Sequence, residues 1–138
     1  MNKKDFLYRY IHTHMIGVLA TISSSGLPEA AVMEFGDTEK FELIFDTLTT
    51  SSKYANLKKN PHVAFVIGWE KGETVQYEGI AEELRGEELI KYKKIMFAKN
   101  LDFQQWEKID GMTYFKVTPA WIRFSRMDAK PWELLLSK

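Results

Sequence analysis

Over residues 15–23 the apolar side chains of Ile16, Val18, Ala20 and Ile22 alternate with Gly17, Leu19 and Thr21. That two-residue period predicts a strand, apolar enough to be buried on both faces. The stretch before it, residues 5–14, keeps a different rhythm. Phe6, Leu7, Tyr10 and Ile11 stand three and four apart, the spacing of one apolar helix face. After a turn over Ser23-Ser24-Ser25-Gly26-Leu27-Pro28, strand character returns at residues 29–35. A turn over residues 36–40 leads to a third strand at 41–47.

The period becomes helical again after Thr47. Ser51 and Ser52 are good N-cap residues, Tyr54 and Leu57 share a face, and Asn60-Pro61 ends the segment. Residues 62–69 form a strongly apolar strand, and residues 70–73 a turn. In residues 74–84, Val75, Tyr77, Gly79 and Ala81 alternate with Gln76, Glu78, Ile80 and Glu82. Residues 86–108 read as helix with a break near Asn100, and residues 113–125 as a last strand interrupted by Pro119. The remaining tail reads as irregular, with apolar residues at Trp132, Leu134, Leu135 and Leu136. Six antiparallel strands of this length favour closure into a barrel, because closure removes exposed edges. The helices then cap its ends or fill its seams.

Composition narrows the function without naming it. A chain of 138 residues suits one domain, residues 1–138, and contains no repeat or linker that would divide it. Acidic and basic residues balance at 19 each, so there is no electrostatic footprint for nucleic acid or an anionic membrane. Apolar runs are too short to span a bilayer, which needs about 20 residues. The absence of cysteine removes disulfides and thiol chemistry and fits a cytoplasmic protein.

The stretch that suggests chemistry is Phe45-Asp46-Thr47-Leu48-Thr49-Thr50-Ser51-Ser52-Lys53. A strand ends in a hydroxyl-rich loop that opens a helix with two serines and a lysine. The first N–H groups of a helix lack internal partners and carry the positive end of its dipole. Hydroxyls and one ammonium there suit a phosphate monoester. The same residues also suit a simple cap beside a solvated lysine.

The order of elements, with Gly26-Leu27-Pro28, Phe45-Asp46-Thr47, Ser52-Lys53 and Asn60-Pro61, resembles the FMN-binding pyridoxamine 5′-phosphate oxidase-related family. Residues 76–82 (QYEGIAE) and 117–124 (VTPAWIRF) are similar to two later strands of that family. The resemblance runs from about Met15 to Ser125. It implies a mainly β fold, a six-stranded antiparallel split β-barrel with capping helices. It also implies a homodimer with FMN sites at the subunit interface and a small-molecule substrate. By position, Lys53 and Ser52 would meet the FMN phosphate, with Ser51 as the cap. Asp46 and Thr47 would lie along the ribityl chain and ring, and Ala31, Val32 and Met33 would border the isoalloxazine. Gln76 would reach the cofactor from the other subunit. The resemblance implies an oxidoreductase and names no catalytic side chain.

Departures from the family pattern limit the substrate. Ala31 stands where the vitamin-B6 oxidases carry an arginine, and Ser52 where they have a second cation. Their C-terminal Arg-x-His element has no counterpart near Arg126-Met127-Asp128. Pyridoxamine 5′-phosphate is therefore not the expected substrate, and weaker FMN binding is expected. A non-catalytic module for flavin or haem, a deazaflavin protein and an empty dimeric scaffold remain as alternatives. His12, His14 and His62 lack a carboxylate at ligand spacing and predict no metal site. No Gly-x-Gly-x-x-Gly follows a strand, and no Ser-His-Asp arrangement is present. Trp121 is the tryptophan expected nearest a cofactor mouth. The acidic run from Glu82 to Glu88 reads as a strand end followed by carboxylates at a helix N-terminus.

Overall fold

The computed structural model describes residues 1–136. Its strands are β1 (Ile16–Ile22), β2 (Pro28–Glu34), β3 (Gly36–Asp37), β4 (Leu43–Leu48), β5 (His62–Ile67), β6 (Glu73–Glu83), β7 (Met112–Arg126) and β8 (Ala129–Leu135). Three helices, α1 (Lys3–His12), α2 (Ser52–Lys59) and α3 (Gly86–Lys99), are joined by a 3-10 segment at Leu101–Trp106. All eight strands belong to one antiparallel sheet, in the order β2-β1-β5-β6-β7-β4-β3, with β8 on β7. The sheet curls into a half-barrel whose ends are β2 and β3. The fold is thus the expected mainly β split barrel with helices.

Two elements exceed the six strands expected from the sequence. Residues 36–40, read as a turn, contain the two-residue strand β3. The tail, read as irregular, forms β8 over Ala129–Leu135 and pairs with the second half of β7. Pro131 is absorbed where the β7–β8 register shifts between Phe124 and Arg126. Ser137 and Lys138 lie outside the described residues.

The long strand β7 organises the sheet. Its first half pairs with β4, its second half with β8, and its other edge with β6. Pro119, which cannot donate to a ladder, sits at a bulge opposite Glu78 and Gly79. Any Cβ at Gly79 would collide with the Thr118 carbonyl, so the strands meet this closely only with glycine there.

Inside the curl, alternate residues of the strands form the main core, including Leu19, Phe35, Phe45, Phe65, Tyr77 and Phe124. Leu7 and Ile11 of α1 are fully buried against it, so α1 plugs one end of the barrel. The Tyr77 hydroxyl is satisfied by donating to the Phe41 carbonyl at 2.6 Å. A second, smaller core lies between α3 and the outer side of β4 and β7, built from Ile44, Tyr92, Met96, Phe103 and Tyr114. Gly36 permits this packing, because a side chain there would press on the Met96 backbone.

Candidate functional site

Along β4, Leu43, Phe45 and Thr47 face the main core, so Ile44 and Asp46 face the other way. The chain then turns through Thr49 and Thr50 into α2. The Ser51 hydroxyl accepts from the Tyr54 N–H at 3.2 Å and lies 2.7 Å from the Thr47 hydroxyl. Ser51 is therefore the N-cap, and its hydroxyl is already engaged. The helix is fixed by buried Asn56, which donates to the Thr21 hydroxyl at 3.0 Å and to Glu29 at 2.8 Å. Leu57 is buried, and the Tyr54 ring packs edge-on against Phe115.

The lysines of α2 differ in their surroundings. Lys58 is tied to Glu83 at 2.9 Å. Lys53, half-buried in the first turn, has no carboxylate within ion-pair distance among the described residues. Ser52 beside it is exposed. This helix end is thus cationic and free to meet an anion.

Asp46 is paired in register with Tyr114 of β7. Its Oδ2 and the Tyr114 hydroxyl are both buried without a hydrogen-bond partner. Burial, reinforced by the Glu34 carboxylate, pushes the Asp46 carboxyl up to about 6. Burial and the Asp46 and Glu107 carboxylates hold the Tyr114 phenol well above its usual range. Buried polar atoms are normally satisfied, so two orphans side by side mark a place where a ligand would supply donors and acceptors. Glu34 and Tyr114 carried no motif in the sequence. Tyr114 enters the site through its register with Asp46, and Glu34 through the approach of β2 to β4.

Ala31, Val32 and Met33 lie on β2, which pairs only with β1 and approaches β4 from the other end of the sheet. Met33 joins the core, Ala31 is half-buried, and Val32 is 63% exposed on the outer face. Thr47 and Ser51 are thus joined at the β4–α2 junction, Ser52 and Lys53 follow in the first turn of α2, and Asp46 lies on the opposite face of β4 beside Tyr114, with β2 close to β4. Gln76 does not join them within the chain. It is exposed on the outer face of β6, paired in register with Val66 and Arg123. Arg123, not singled out in the sequence, has a buried Nε without a partner. Trp121 also lies on this face, donating to Glu133 at 3.1 Å.

The outer face of β1, β5 and β6 is apolar for a sheet surface. Ala20, Ile22, Ala64, Ile80 and Ala120 line a groove of about 640 Å³, with exposed His62 and Glu78 at its rim. The other two histidines are engaged: His12 with Asp37 at 2.9 Å, His14 with the Tyr10 carbonyl at 2.6 Å. Among the described residues no three His, Asp or Glu side chains are grouped to hold a metal ion. Among them, too, no helix is long and apolar enough to cross a membrane. Glu87 and Glu88 stand in the first turn of α3, as the acidic run suggested.

A family described as pyridoxamine 5′-phosphate oxidase matches residues 4–126. No curated protein sequence matches. Among solved structures, a haem-binding protein from Mycobacterium smegmatis superposes with a TM-score of 0.85 at 15% identity, covering 98% of this chain. ChuZ from Campylobacter jejuni gives 0.82 at 15% identity over 96% of this chain. General Stress Protein 26 from Bacillus anthracis gives 0.74 at 22% identity, covering 97% of this chain and 100% of its own. The chain spans only 59% of the mycobacterial protein and 58% of ChuZ.

Proposed function

Because the chain belongs to the pyridoxamine 5′-phosphate oxidase family, we propose that it is an FMN-binding flavoprotein that works as a homodimer and carries out a redox step on a small molecule. One observation carries this reading. The free cationic start of α2 lies on the same strand–helix junction as the unpartnered Asp46 and Tyr114 oxygens, next to the open edge strand β2. The donor set fits FMN. Lys53 and the Ser52 hydroxyl would hold the phosphate, supported by the helix dipole. Asp46 and Tyr114 would meet the ribityl hydroxyls, and Val32 would offer apolar contact to the ring. FMN itself supplies the electron transfer. The protein binds and orients the cofactor and excludes water from it; no side chain is assigned as a general base.

A second copy would complete the site. An exposed Val32 and an apolar groove on one sheet face suit burial against an identical face. Gln76 and Arg123, adjacent on the outer side, would then reach the partner's cofactor, and Arg123 would offset the cation missing at Ala31. The lack of cysteine agrees with work in the reducing cytoplasm. A haem-binding module is the second reading. It is favoured by exposed His62 at the groove and by one fold neighbour, the mycobacterial protein, that binds haem.

Purified protein mixed with FMN and freed of excess ligand should retain flavin absorbance near one per subunit and elute as a dimer. Retention of haem with a Soret band, and no retained flavin, would replace this reading with the second.

A further inference from the structure

At the barrel end plugged by α1, the start of that helix and the β7–β8 hairpin border an open cavity of about 440 Å³. Its location is separate from the β2–β4–α2 group. The floor is aromatic: Phe6 meets Phe124 edge-on with centroids 5.0 Å apart, and Trp132 lies 5.4 Å from Phe124. Three cations, Lys3, Arg126 and Lys130, stand at its walls. Lys3 Nζ is 5.3 Å from the centre of the Trp132 ring. Arg126 is shared with Asp128 at 3.3 Å and Glu73 at 3.8 Å. Lys3 and Lys130 have no carboxylate within ion-pair distance among the described residues.

We propose that this cavity binds a small planar aromatic carboxylate, whose ring lies on the Phe6–Phe124–Trp132 floor and whose anion is held by Lys3 and Lys130. The volume falls in the range of small-molecule pockets, about 300–1,000 Å³. An aromatic wall with a few convergent charged groups is the usual composition of such a site. The charge is local, since the chain as a whole carries no net charge. Lys3 already rests over an aromatic face, and a bound carboxylate would complete a cation flanked by a ring and an anion.

The test is calorimetric titration of the full chain with 2-naphthoate and with its neutral counterpart 2-naphthalenemethanol. The proposal expects saturable binding of the carboxylate at about one per chain, at least about tenfold tighter than the alcohol. A Lys3→Ala/Lys130→Ala variant should lose that preference while still binding the alcohol. Both lysines are exposed, so the variant should fold as the parent does. Equal affinity for the two compounds, no binding of naphthoate, or naphthoate binding unaffected by the double substitution would overturn the proposal. FMN uptake is measured separately and does not bear on these outcomes.

Discussion

Two buried carboxylates show how differently this molecule treats charge. Asp37, on β3, has a side chain only 1% exposed; His12 lies 2.9 Å from its Oδ1, and Oδ2, outside hydrogen-bond geometry, is ion-paired to Lys99 at 2.7 Å. Lys99, itself 2% exposed, also donates to the His14 carbonyl at 2.6 Å and sits 3.7 Å from the centre of the Phe35 ring. Burial lowers the Lys99 pKa while Asp37 holds it up. This cluster binds α1, β3 and α3 together. Asp46, on the neighbouring strand β4, has no ion-pair partner among the described residues: the like-charged Glu34 raises its pKa further, and its Oδ2 is unpartnered. The first arrangement has its counter-charge without a ligand. The second gains from one, which is the pattern expected where stability is given up for a binding site.

The comparison is broken most severely at Lys99. Lys99→Met should destabilise the protein by about 3–5 kcal/mol, since it leaves Asp37 buried without its main counter-charge. Adding Asp37→Asn to that variant should recover part of the loss, a coupling that denaturant unfolding of the three variants would measure. A fully additive pair of losses would argue against a closed cluster.

Asp46→Asn should have the opposite sign. The folded carboxyl is raised to about 6 from 3.8, so its favourable contribution is complete below about 3.8 and is lost as pH rises through about 6. The ionised group then costs stability. The difference in pKa sets a ceiling near 3 kcal/mol, and screening of a half-buried group reduces it to about 1–2. Asp46→Asn should therefore stabilise the ligand-free protein by that amount at pH 8 and change little at pH 4. Thermal unfolding at the two pH values would show it; equal effects at both would place the carboxyl in ordinary solvent. Tyr114→Phe, which removes the other orphan, should stabilise the ligand-free protein by about 0.5–1 kcal/mol and weaken FMN binding.

Much of the barrel was legible because its strands obey the two-residue period over long stretches: burial alternates over residues 75–82, with Ile80 the apolar exception on the outer face, and β6 spans Glu73–Glu83. The break near Asn100 was also legible, and α3 ends at Lys99. Strand β3 was not, because two residues carry no period and Gly36-Asp37 has turn composition. Strand β8 was hidden by Pro131 and by the run Leu134–Leu136, which masks the alternation of half-buried Trp132 and Leu134 with exposed Glu133 and Leu135. The β4–α2 junction was readable from its hydroxyls, its cap and Lys53. Glu34, Tyr114 and Arg123 were not: Tyr114 and Arg123 enter by pairing between strands distant in sequence, and Glu34 by the approach of β2 to β4, strands that do not pair. The Asp37–Lys99 pair spans from a two-residue strand to the end of a helix, a separation no local pattern encodes.

If the start of α2 reads a phosphate through Lys53, FMN and riboflavin affinities of the parent and of Lys53→Ala, measured by quenching of flavin fluorescence, must differ. The parent should prefer FMN, and Lys53→Ala should lose about 1.5–3 kcal/mol of FMN binding, roughly 10- to 150-fold, with riboflavin affinity unchanged. Equal affinity of the parent for both flavins, or an FMN affinity indifferent to Lys53, would contradict that reading.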